Sequence, residues 1–329
     1  MTLILLHPTS LPRREEQLSL AVDAPAPLRL ARRLAAGVSG TDLLDRLRAL
    51  PPRSGSVALA ERVDSGVPYT YDHRLREFDE HFGVERVDVD TDGVFARSLL
   101  VAYRSLLEEG LASGTRMSWA RWSALVSMLQ TMIVRCAGET ADLPVAVRPP
   151  LLRWHLDPER RWRVGHHVFF VVTQCLIVAL QSFVTALRED DDLAGARRGL
   201  RLATRLLDAS SAAFVFTAEF GANQYHHTVR PTMEPPFVSA GFSGLLSPDH
   251  HYLVRLFAEV RPTLRALPAD LVADHAAFVR ALGAVYESHK YVCARFGGDT
   301  GASLRTGALP AVEVLHALKL ARTKIVGRP

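Results

Sequence analysis

A chain of 329 residues with 48% hydrophobic and 22% charged side chains has the composition of an ordinary globular protein, which excludes a disordered or fibrous polypeptide. Its 39 basic against 35 acidic residues leave a formal charge of only +4. The basic residues are scattered in pairs such as Arg32-Arg33 and Arg160-Arg161, the pattern of a solvated surface rather than of a nucleic-acid footprint.

Met1 to Pro12 holds a short apolar run followed by Arg13-Arg14, not the charged-then-apolar order of a secretory signal, so a cytoplasmic location is expected. Apolar residues then recur at three-to-four spacing over 26–36, 41–50, 93–111, 117–136, 168–187, 193–220, 250–267, 270–296 and 310–325, which predicts helices there. Start signals agree: Thr41 precedes Asp42 and an apolar run, and Asp190 to Asp192 put negative charge at the positive end of the helix that follows. Residues 54–90 are less regular, with candidate short strands at 57–63 and 84–89. The Pro-rich stretch 142–163 reads as a long surface connection. Residues 168–187 carry no charge and are long enough to span a bilayer. Thr173, Gln174, Gln181, Ser182 and Thr185 within them, and the lack of a second such stretch, favour the central helix of a bundle instead. A long irregular segment, 221–248, is dense in His226, His227, Arg230 and Glu234, and loops of that length in compact proteins are usually functional. With no linker or composition break, the prediction is a mainly α, single-domain helical bundle over 1–329, less regular over 1–92.

The three cysteines are too few and too oddly numbered for a disulfide framework. Cys136 and Cys175 lie in apolar helical surroundings and read as small buried hydrophobes. Cys293 stands four residues after His289, so on a helix the two side chains share a face, about 5–6 Å apart. That spacing suits a haem: an iron-bound imidazole stands over the ring centre while a thiol one turn along reaches the ring edge, where a thioether is geometrically possible. The usual Cys-x-x-Cys-His attachment signature is absent. Zinc is a competing reading, although it wants three or four ligands, commonly with paired thiolates. Of the histidine pairs His166-His167, His226-His227 and His250-His251, each taken alone reads as surface or hydrogen-bonded. His250 stands out because it opens the helix before the one bearing His289, and adjacent antiparallel helices would bring the two imidazoles to opposite sides of a flat cofactor.

His250, a 38-residue interval and then His289-x-x-x-Cys293 resemble the motif of the 3-methyl-L-tyrosine hydroxylases of tetrahydroisoquinoline antibiotic biosynthesis, histidine-ligated haem enzymes. The resemblance implies a haem held by His289 and His250 and by one thioether to Cys293. It also implies hydroxylation of 3-methyl-L-tyrosine ortho to its hydroxyl, driven by peroxide or by dioxygen plus a reductant. His250 would then leave the iron during turnover and act in proton transfer. More broadly, residues 160–320 are similar to the tryptophan-dioxygenase-like superfamily of haem-dependent aromatic oxygenases. His167 to Gln174 resembles their distal-face helix, with Gln174 about where their distal histidine falls. Arg230 and Gly241-Phe242-Ser243-Gly244 resemble their carboxylate-gripping arginine and its loop. Gly298 to Ser303 resembles their Gly/Thr-rich turn, which implies substrate contacts from Thr300 and Ser303. A homodimer is a family-level expectation. A tyrosine or indole oxygenase, a non-catalytic bis-histidine haem protein and a plain helical interaction protein are the alternatives. Trp119, Trp122, Trp154 and Phe170 are candidate linings of the ring pocket, with ordinary core as the simpler reading.

Overall fold

The computed structural model describes residues 2–19, 29–31, 41–50, 71–89, 93–139, 147–153, 155–297 and 309–327. Its framework is helical: α1 (Thr41–Arg48), α2 (His73–Phe82), α3 (Val94–Ser113), α4 (Trp119–Cys136), α5 (Pro158–Arg188), α6 (Leu193–Thr217), α7 (Pro248–Arg265), α8 (Val272–Gly297) and α9 (Ala311–Val326). The expected strand at 84–89 is present as β2 (Val84–Val87), pairing in parallel with β1 (Leu3–Leu6) from the N-terminus. The candidate strand at 57–63 lies outside the described residues, as does most of the predicted helix 26–36, of which 29–31 is helical.

α5 and α6 form the central pair. α5 is uncharged through its middle because it is covered all round: Val168, Val172, Cys175, Ile177, Leu180 and Phe183 are fully buried, and its most apolar window is 78% buried. α3 and α7 pack on α5, α4 and α8 pack on α6, and the buried apolar residues join into one connected core. Cys136 and Cys175 are buried in that core and form no disulfide.

Three expectations are corrected. α5 starts at Pro158, with Asp157 capping its first turn through Glu159 N and Arg160 N, so 158–163 is not a surface connection. The reason is Arg161, which is 0% exposed. Its guanidinium pairs with Glu109 at 3.2 Å and Glu219 at 3.0 Å and lies over the Phe216 ring, so the Arg160-Arg161 pair is half interior. Secondly, α2 occupies part of the irregular region 54–90, capped by Asp72 and ended by Gly83 in the left-handed conformation at φ 65°. Thirdly, α7 and α8 do not lie side by side. They touch through Phe257 and Phe278, and α9 packs along both.

Candidate functional site

The site grows out of the pattern along α8. Tyr286, His289, Cys293 and Phe296, at three-to-four spacing, present one helical face to a cavity of about 240 Å³. A single water needs only about 10–15 Å³ of such space, so this cavity is shaped for something far larger. His250 enters it from the first turn of α7. α5 adds Trp162, His166, Phe169 and Phe170, while Val314, Leu315 and Leu318 of α9 close another wall. The three residues singled out by spacing, His250, His289 and Cys293, thus meet at one apolar chamber.

Their chemistry is distinct from that of surface groups. Burial alone pushes His289 down to about 4 and the Cys293 thiol up to about 11. Burial is also the main cause for His250, lowered to about 4 with help from the nearby cations and imidazoles of Arg322, His289 and His251. Both imidazoles are therefore neutral, the state that ligates a metal. The His289 ring is held flat against Phe214, with centroids 4.5 Å apart and planes at 17°. Both imidazoles are half-buried and line the cavity, where a ligand can reach them. Among the described residues no group of three or more His, Cys, Asp or Glu side chains converges as a metal site, so a protein-only zinc site finds no ligand set there. Two lone imidazoles, one thiol and aromatic walls are instead a donor set that fits a planar, apolar, iron-bearing group.

Arg230 also lines the cavity, at the end of the short helical run that 221–248 turns out to contain. Its Nε donates to Glu234 at 2.8 Å, so only the Nη edge of its fork is open to a ligand. Of the segment Gly241 to Gly244 that resembled a substrate loop, Phe242, Ser243 and Gly244 are wall residues. Thr300 and Ser303 lie outside the described residues. Gln174 is not at the cavity: it is 0% exposed and donates to Leu6 O at 2.7 Å and Asp249 Oδ1 at 2.9 Å. His226 donates to Phe296 O and is no ligand candidate. Of the tryptophans, Trp122 is core, with its indole N–H on Val147 O, and Trp119 stacks under Arg148. Trp154 lies outside the described residues, and Phe170 alone of that group reaches the chamber.

The residue missed by sequence reading is His166. Its Nδ1 donates to Trp162 O at 2.8 Å, and its ring stacks on Phe82 with centroids 4.3 Å apart. Burial, the largest influence, pushes it down to about 3. It is therefore a neutral histidine of fixed tautomer whose Nε2 lone pair makes no hydrogen bond among the described residues. The signal was present in sequence: Trp162, His166, Phe169 and Phe170 share one face of a helix, but the helix had been expected to begin at 168, beyond Trp162 and His166.

Comparison with known proteins bears on this site. The family described as SfmD 3-methyl-L-tyrosine peroxygenase matches residues 4–297. A 3-methyl-L-tyrosine peroxygenase of Streptomyces lavendulae is 29% identical over 309 residues, covering 91% of this chain and 82% of the relative. A crystal structure of reduced SfmD, soaked with sodium hydrosulfite, superposes with a TM-score of 0.67 at 27% identity, covering 88% of this chain and 96% of the other.

Proposed function

The chain belongs to the SfmD 3-methyl-L-tyrosine peroxygenase family, and from that membership and the chemistry of the cavity we propose that it uses a covalently held haem to hydroxylate 3-methyl-L-tyrosine ortho to its phenol hydroxyl. The product is 3-hydroxy-5-methyl-L-tyrosine. One peroxide oxygen enters the ring C–H bond and the other leaves as water, so the balance needs no separate electron donor. The observation that carries the reading is that His250, His289 and Cys293 line one aromatic chamber.

In this reading His289 and His250 would hold the haem iron, and Cys293, one turn from His289, would tether the group through a thioether. Haem, when bound, supplies the activation of peroxide, and the protein supplies position and access. Phe214 fixes the plane of the His289 ring. With both histidines holding the group, His250 would be the residue that moves aside to admit the oxidant. Arg230 turns its open Nη edge to the substrate carboxylate, with Glu234 steadying the side chain from behind. His166 accepts the phenol O–H at Nε2 and so orients the ring, in a pocket walled by Phe82, Phe170 and Phe242. Apolar walls keep bulk water from the reacting ring.

Product analysis tests this directly. Purified protein supplied with haem and hydrogen peroxide is expected to convert 3-methyl-L-tyrosine to the 3-hydroxy-5-methyl product in preference to tyrosine and tryptophan. Turnover confined to tyrosine or to an indole, or none at all, would sink the proposal.

A further inference from the structure

A buried ionic cluster stands directly behind His250. Arg86 of β2 is 4% exposed and uses every donor of its guanidinium inside the protein. Nη1 and Nη2 each reach one oxygen of Asp249 at 2.8 Å. Nε and Nη2 grip Asp79 of α2 at 2.9 and 3.0 Å, and Nη1 also donates to Leu6 O at 3.2 Å. Gln174 of α5 adds a donor to Asp249 at 2.9 Å, and Tyr71 adds one to Asp79 at 2.8 Å. Asp249 is 0% exposed and immediately precedes His250.

We propose that Arg86, acting through Asp249 with Gln174, is a positioning residue that sets how His250 enters the cavity; this rests on the reading of His250 as an iron ligand. Successive residues of a helix are rotated by about 100°. Asp249 therefore faces the cluster while His250 faces the chamber, and fixing both carboxylate oxygens of Asp249 fixes the rotation and height of the first turn of α7. The local cap does little of this, since Ser247 Oγ meets His250 N at a long 3.4 Å. Of the two carboxylates around the guanidinium, Asp249 lies in the first turn of α7, where the helix dipole favours negative charge. A cluster this polar and this buried is a poor source of stability compared with apolar packing, but it does specify one geometry. Gln174 carries an amide on an otherwise apolar helix face because it serves Asp249, not the cavity.

The test is cyanide binding to the ferric, haem-loaded protein, because cyanide must displace His250. If His250 is a ligand, His250→Ala binds cyanide more tightly than wild type. The proposal expects Arg86→Lys and Gln174→Met to raise the apparent affinity roughly tenfold, since loosening the first turn of α7 enlarges the share of molecules with an open iron position. If His250→Ala raises the affinity while the two network variants, folded and haem-loaded, match wild type, the positioning role is overturned and the ligand reading stands. If His250→Ala itself matches wild type, the ligand reading fails and this inference with it. Should Arg86→Lys not fold, the volume-conserving Gln174→Met, which leaves the Arg86 ion pairs in place, decides.

Discussion

His166 is a buried base that cannot easily gain a proton: its Nδ1–H is committed to Trp162 O, and its ring is clamped by Phe82. Such a group offers a lone acceptor, and a site built to receive a hydroxyl discriminates against ligands that lack one. His166→Leu is expected to weaken binding of 3-methyl-L-tyrosine by about tenfold, the value of one hydrogen bond to a buried partner. It should leave binding of the analogue without the hydroxyl unchanged. Equal loss for both ligands in a titration would assign His166 a purely space-filling role. The same contrast explains what was legible at this scale. His289 and Cys293 could be paired from four-residue spacing on one helix, a local property. His250 was marked by its interval and by the family motif. His166 and the Arg86 cluster depend on which helices meet, and Gln174 was drawn toward the cavity by analogy when its actual partners are Leu6 O and Asp249.

Among the elements, α5 and α6 set the frame on which the chamber is built, and they pack tightly at Gly165. A Cβ there would fall 2.8 Å from Thr217 Cα and closer still to its side chain, and Thr217 itself borders the cavity. Gly165→Ala is therefore predicted to destabilise the protein by about 1–3 kcal/mol, the usual range for overpacking, despite the higher helix propensity of alanine. Urea unfolding measures it, and an unchanged or raised midpoint would contradict the close-packing account. Helix existence was readable from periodicity for nearly every long element, because a strong apolar stripe is a local signal. The start of α5 was not, because the pairing of Arg161 with Glu109 and Glu219, which makes an arginine an interior residue, is invisible without the fold. α2 went unread for the opposite reason: it is short and charged, and its position rests on Asp72, Gly83 and contacts made elsewhere.

For the whole molecule, the histidines buried in a neutral state make folding sensitive to acid. His167 shows the principle away from the proposed ligands: Nε2 donates to Phe82 O at 2.6 Å, while Nδ1 is buried without a partner. Burial, the largest influence, lowers its pKa from 6.5 to about 4. Between those values the unfolded chain binds the extra proton and the folded one does not. Its contribution is thus complete above pH 6.5, declines as pH falls toward 4, and changes no further below. The linked loss is on the order of 3 kcal/mol. The stability gap between wild type and His167→Gln should accordingly narrow between pH 7 and pH 4.5 in denaturant titrations, and a constant gap would refute the linkage. At the same scale, the account stands on one claim, that this fold brings His250, His289 and Cys293 together to hold a haem covalently. Its most direct test is the absorption spectrum of the purified, haem-supplied protein before and after extraction with acidified acetone. The predicted result is a low-spin haem that stays with the polypeptide and becomes extractable in Cys293→Ala. A protein that takes up no haem, or one whose haem extracts equally from both forms, would contradict it.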